Sequence, residues 1–176
     1  MIQSPLDKTA FIPFSNLIVD TQDLYRMIND LTTVQRSLFK DKEGTISDKS
    51  KDFLASSLTT VFTEVEKRGL EPAGDAKQQE FVKTLIEYLK NLPVVKITLA
   101  FGPTTNFLQR INTEISNEIG NKAVLDIVVN QFIIGGAVFE YNGKVRAYTL
   151  EEKLDTAVIA LIKSEGTISR KSEVSH

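Results

Sequence analysis

The dipeptide Asn142-Gly143 separates two short alternating runs, "AVFEY" and "KVRAY". A two-residue connection allows only a tight hairpin. Asn-Gly suits the type I′ turn, whose two central residues both need positive φ. Loop length then sets the register, placing Phe139 opposite Arg146 and Glu140 opposite Val145. The chain therefore contains an antiparallel β pair, whatever its other parts do.

The first strand of that pair is read over "FIIGGAVFEY", 132–141, with Gly135 and Gly136 inside it. Glycine in a strand packs nothing and costs about 0.5–1 kcal/mol relative to alanine. Two in a row predict a twist or bulge that lets helix backbone approach the sheet. On that reading Gly136→Val costs several kcal/mol through overpacking or strain. Two further strands precede the hairpin. "VVKITLAF", 94–101, puts Val95, Ile97, Leu99 and Phe101 on one face. "AVLDIVV", 123–129, is apolar on nearly both sides and is expected to be central. Between them Pro103 and Thr104 open a helix with Phe107, Leu108, Ile111, Ile115 and Ile119 inward, ended by Gly120-Asn121. After the hairpin, "TLEE" reads as a capping box in which Thr149 and Glu152 satisfy free backbone N–H groups. The helix it starts presents Leu150, Leu154, Ala157, Val158 and Leu161 inward. The second half is thus β-α-β-β-β-α.

Before Pro93 the apolar period is helical. Asp20 caps a helix with Leu24, Met27, Ile28, Leu31, Val34 and Leu38 along one stripe. Ser47 or Asp48 caps a second, with Leu54, Leu58, Val61, Phe62 and Val65 inward and Gly69 as its C′ residue. Asp75 caps a third, with Phe81, Leu85, Tyr88, Leu89 and Leu92 inward, and Pro93 stops it. Residues 1–19 carry Pro5 and Pro13 and read as an extended arm, and 40–52 read as a loop. The expected fold class is α+β: a helical domain of three or more helices over 1–92, an α+β domain over 93–164, and a polar tail over 165–176.

Composition narrows function. The chain has 176 residues, net charge −2, no cysteine and one histidine, His176, at the very end. That balance gives no field for nucleic acid or anionic lipid. With no cysteine and no internal histidine there is no thiolate metal site and no histidine base. No Gly-rich phosphate loop or nucleophile motif is present. No apolar run approaches the ~18–20 residues of a membrane-spanning helix. The opening "MIQSPLDKTAFIPF" has no basic region before an apolar core, so no secretory signal is expected. We expect no catalytic residue, no metal and no cofactor.

The stretch "NQFIIGGAVFEYNGKVRAYTLEEKL" resembles the signature of the delta subunit of F-type ATP synthases, the oligomycin-sensitivity-conferring subunit of mitochondria. Ile133, Ile134, Gly135 and Gly136 match that family's Leu-Ile-Gly-Gly core without a gap. Lys144 and Val145 fall on the return strand, Thr149 takes the place of the cap serine, and Lys153 and Leu154 match a basic residue and a leucine. Asn130-Gln131 replace the family's Asp-Pro, and Glu151 stands where it often has arginine. The resemblance covers about 94–163. It implies a non-catalytic stator subunit that links the catalytic alpha/beta head to the b-subunit stalk. It implies a peripheral protein on the cytoplasmic face of a bacterial membrane, or the matching face of an organelle inner membrane, touching the membrane only through the complex.

The motif residues are Ile134, Gly135, Gly136, Asn142, Gly143, Thr149 and Glu152. The family's C-terminal domain receives the end of the b subunit, and the last helix offers Leu154, Val158, Ile159 and Ile162 as candidate partner-binding residues. Ile159 and Ile162 widen its apolar band beyond one packing face, and the same residues would serve equally as core. Two alternatives stand beside this reading. One is a free-standing α+β ligand- or peptide-binding module. The other is the E-type stator subunit of vacuolar and archaeal rotary ATPases, which carries a similar Gly-Gly strand behind a long charged helix. Gly44, Gly69, Pro72 and Gly74 break this chain too often for such a helix.

Overall fold

The computed structural model describes residues 8–38, 44–52 and 54–149. The fold is α+β. Two units are distinguished: one takes in the chain up to Val94 together with Leu108–Leu125, the other Val95–Phe107 and the chain from Asp126 on.

The helical unit begins earlier than the sequence reading expects. Lys8–Phe11 form a 3-10 turn that runs into helix α1, Ile12–Asn16. Residues 8–19 are thus no extended arm. Pro13 lies in the first turn of α1, where its missing N–H has no intrahelical partner to lose. Phe11, Phe14 and Ile18 are fully buried. The Phe14 ring meets Phe62 edge-on at 4.9 Å, and Phe11 meets Phe81 at 5.3 Å. Aromatic side chains bury more apolar area than any others, so this segment is drawn into the core.

Helix α2, Thr21–Ser37, starts at Asp20, whose side chain accepts from the Asp23 backbone N–H at 2.9 Å. Asp23 reciprocates by accepting from the Val19 N–H at 3.1 Å, so two free donors are satisfied together. The helix buries Leu24, Met27, Leu31 and Val34. Helix α3, Ile46–Ser50, lies within the stretch read as a loop. Helix α4, Ser56–Lys67, has Ala55 at its N-cap without a side-chain bond, so neither Ser47 nor Asp48 caps it. It ends in a Schellman motif: Gly69, at φ +68°, donates to Glu66 O, and Leu70 donates to Val65 O. Helix α5, Asp75–Lys90, is entered through Gly74, so Asp75 is its first residue rather than its cap and complements the helix dipole there.

Strand β1, Val94–Leu99, leads into helix α6, Thr105–Ile119, whose Phe107 N–H is accepted by the Thr104 hydroxyl. Strand β2, Val124–Val129, follows, then β3, Gly136–Tyr141, and β4, Lys144–Thr149. The sheet order is β2-β1-β3-β4. β3 runs antiparallel to β1 and to β4. The Val124 N–H donates to Pro93 O and the Asn130 N–H to Leu99 O. Both bonds carry the same sequence offset, so β1 and β2 run parallel, joined by the α6 crossover.

Three expectations fail here. β2 is an edge strand and not a central one. Val124 and Leu125 at its start are fully buried, and Val128 and Val129 at its end are exposed, so its two-sided apolar pattern is not that of a strand flanked by neighbours. Helix α6 does not turn its isoleucines fully inward. Phe107, Leu108, Ile111, Ile115 and Ile119 are half-buried, and its one buried residue is Asn112. Phe101 lies beyond the end of β1 and is half exposed, whereas Val95, Ile97 and Leu99 are buried as expected.

Candidate functional site

The hairpin has the register read from loop length. Phe139 pairs with Arg146, Glu140 with Val145, and Tyr141 with Lys144 around the turn. Asn142 and Gly143 have φ +49° and +71°, as type I′ geometry requires. Phe139 and Tyr148 meet edge-on at 5.9 Å across the pair.

The glycine pair sits differently from the expectation. Residues 131–135 form a turn, and β3 begins only at Gly136. Gly135 and Gly136 have φ +68° and +97°, a region that side-chain-bearing residues avoid. Positive φ at both positions swings the chain out of the turn and into β3, which by itself gives the pair a physical reason. Asn130 builds the turn: its side chain accepts from the Phe132 N–H at 3.0 Å, and its carbonyl accepts from the Ile133 N–H. Of the motif residues, Gly136 and Thr149 are cross-strand partners, while Ile134 is exposed in the turn. Backbone pairing puts Thr149 at the end of β4. Glu152, Leu154, Val158, Ile159 and Ile162 lie outside the described residues, as does the helix read after Thr149.

These turns meet at one end of the sheet. Ala100 N–H donates to Gly136 O, and Asn130 N–H to Leu99 O, so the segments after β1 and after β2 and the start of β3 lie side by side. The tip they form exposes large apolar side chains. Phe132 is 94% exposed, Ile134 55% and Phe101 50%, with Val129 beside them at 47%.

The helical unit holds two polar constellations that spacing did not announce. In the first, Glu71 accepts from the Ile46 backbone N–H at 2.9 Å and from the Gln78 amide at 2.8 Å. Glu66 accepts from the Ser47 N–H at 2.8 Å and from its hydroxyl at 2.7 Å. Two carboxylates thus satisfy adjacent donors at the start of the five-residue helix α3. Lys49 is closed in by Asp75 and Gln78, each at 2.9 Å. Burial raises the Glu71 carboxyl to about 7, against the Ile46 N–H, which favours the anion; the neighbouring Glu66 pushes it further up. Its Oε2 is buried with no hydrogen-bond partner among the described residues.

In the second, the buried Asn112 donates to Val19 O at 3.0 Å and to Ala123 O at 2.8 Å, while its carbonyl accepts from Lys122. It ties α6 to the segments before α2 and before β2. Burial lowers Lys122 from its ordinary value, with Asp23 opposing that shift. Beside it lies an open groove of about 530 Å³, lined by Ile12, Asn16, Tyr88, Asn117, Asn121 and Lys122.

Glu71 lies 25 residues from Ile46 and Asn112 lies 93 from Val19, so no local motif could mark either constellation. Among the described residues no group of His, Cys, Asp or Glu could hold a metal ion, and no helix is long and apolar enough to cross a membrane.

Comparison with known proteins adds little. No known family matches the sequence, and no curated protein matches it. Among solved structures, a chain of the cryo-EM structure of the Toxoplasma gondii mitochondrial ATP synthase hexamer is similar over 92% of this chain and 89% of that one, at 10% identity and a TM-score of 0.36. A score of that size assigns neither fold nor function.

Proposed function

We propose that the chain is a non-catalytic stator subunit of a rotary F-type ATP synthase, of the delta type, joining the alpha/beta head to the b-subunit stalk. Rotation puts torque on the head, and a stator must hold the head still for that work to appear as ATP. The role needs docking surfaces and a rigid body, and no chemistry. The protein would be held at the membrane only through the complex.

The observation that carries this reading is the ungapped run from Ile133 to Gly136, the Asn142-Gly143 hairpin and the return strand with Lys144 and Val145. Positive φ at all four turn and entry positions gives the sequence pattern a physical reason. The test is affinity purification of the tagged chain from its native membranes, with mass spectrometry of the eluate. Alpha, beta and b subunits should be recovered in stoichiometric yield; recovery of the chain alone would overturn the reading. Ile159→Asp should reduce recovery of the b subunit while alpha and beta persist.

A further inference from the structure

The tip of the sheet combines exposure with an absence of charge. Residues 97–107 and 127–139 contain no charged side chain, in a chain where a quarter of residues are charged. The hydrogen bonds from Ala100 to Gly136 and from Asn130 to Leu99 bring the ends of these two stretches together. Phe132 and Ile134 are exposed there on a short, hydrogen-bonded turn, with Phe101 just beyond β1 and Val129 at the end of β2 exposed beside them. An exposed aromatic on a fixed turn, with apolar neighbours and no charge, has the character of the core of an interface.

β4 ends at Thr149, directly opposite Gly136, so the chain leaves the sheet at this same tip. It continues as "LEEKLDTAVIALIK", 150–163. Leu150, Leu154, Val158 and Leu161 recur at helical spacing, with Glu151, Glu152 and Asp155 off that stripe. Fourteen residues at about 1.5 Å each reach about 21 Å as a helix, and four strands at about 4.8 Å spacing are about 14 Å across. The segment has the length, the starting point and the uncharged stripe to cover the tip.

We propose that the charge-free tip around Phe132 and Ile134 is the docking surface for the chain's own segment 150–163, seated through Leu154 and Val158. Ile159 and Ile162 then remain for other contacts. The inference is independent of the stator reading, because its test involves no partner.

The chain has no cysteine, which gives a clean background for disulfide trapping in the full-length protein. Phe132→Cys would be combined in turn with Val158→Cys and with Glu152→Cys, and oxidation followed at low protein concentration. An undocked segment crosslinks according to tether length, so Glu152→Cys, close to Thr149, reacts faster. A docked segment reverses that order, with Val158→Cys faster by about tenfold or more from its raised effective concentration. Faster reaction at Glu152→Cys, or no intramolecular product from either pair, overturns the proposal. A product between two chains overturns it in favour of a second copy on the tip. Hydrogen exchange keeps the test open if the double variants fold poorly. Amides of 150–163 should be protected in the unaltered chain. Phe132→Asp should release them while protection of β3 and β4 persists, and unchanged exchange in that variant also overturns the proposal.

Discussion

Replacing Glu71 by glutamine should make the protein more stable at alkaline pH and leave it unchanged at acid pH. Glu71 lies among α3, α4 and α5. It faces Glu66 on α4 and Gln78 on α5, and Gln78 in turn holds Lys49, which is paired with Asp75. Burial raises its carboxyl from 4.5 to about 7. In the folded state it keeps its proton over a range where the unfolded chain has lost it. Stability is therefore fully present below about pH 4.5 and declines as pH rises through about 7. At about 1.36 kcal/mol per pH unit the interval corresponds to about 3.4 kcal/mol. The group is only half buried, and solvent screening reduces that to about 1–2 kcal/mol. Glutamine resembles the protonated acid. Its carbonyl still accepts from Ile46 and Gln78, and its amide stands in place of the unpartnered Oε2. Urea unfolding of both proteins across this range isolates the effect, since other titrating groups cancel in the difference. The two curves should coincide at about pH 4.5, with the variant ahead by about 1–2 kcal/mol at about pH 8. A difference that stays constant with pH, or a variant that is the less stable at pH 8, would refute the argument.

Three further outcomes are expected. Asn112→Ala strands the buried Ala123 O and leaves Val19 O with the Leu125 N–H alone, and should cost about 1–3 kcal/mol in urea unfolding. Phe14→Ala should cost about 3–5 kcal/mol, because α1 is part of the core; a variant that melts like the parent would return residues 8–19 to the status of an arm. Gly136→Val should cost about 1–3 kcal/mol in a thermal melt, because φ +97° is strained for any side chain, and Gly143→Val should behave likewise at φ +71°.

The difference between what was readable and what was not is a matter of range. The hairpin was legible because all its determinants lie within Ala137–Tyr148: alternation, loop length and a dipeptide that tolerates positive φ. Helix α2 was legible because Asp20 and Asp23 cap it locally and its stripe runs for several turns. The candidate site was legible only at its glycines and its turn. Even there the strand boundary was misplaced, since a Gly-Gly pair within an apolar run does not reveal whether it bends a strand or opens one.

By itself the sequence determined the α+β class, the β-α-β-β-β order and the register of the last two strands, because each depends on groups a few residues apart. Tertiary structure decided the rest. α1 is a helix because Phe11 and Phe14 find Phe81 and Phe62 across the unit. α3 has a local cap in Thr45, and Glu66 and Glu71 reach its remaining free N–H groups from distant points in the chain. α6 buries Asn112 because two carbonyls from other segments converge on it. β2 lies at an edge because strand order follows from which pairings close together, and the apolar content of a single strand does not encode that order.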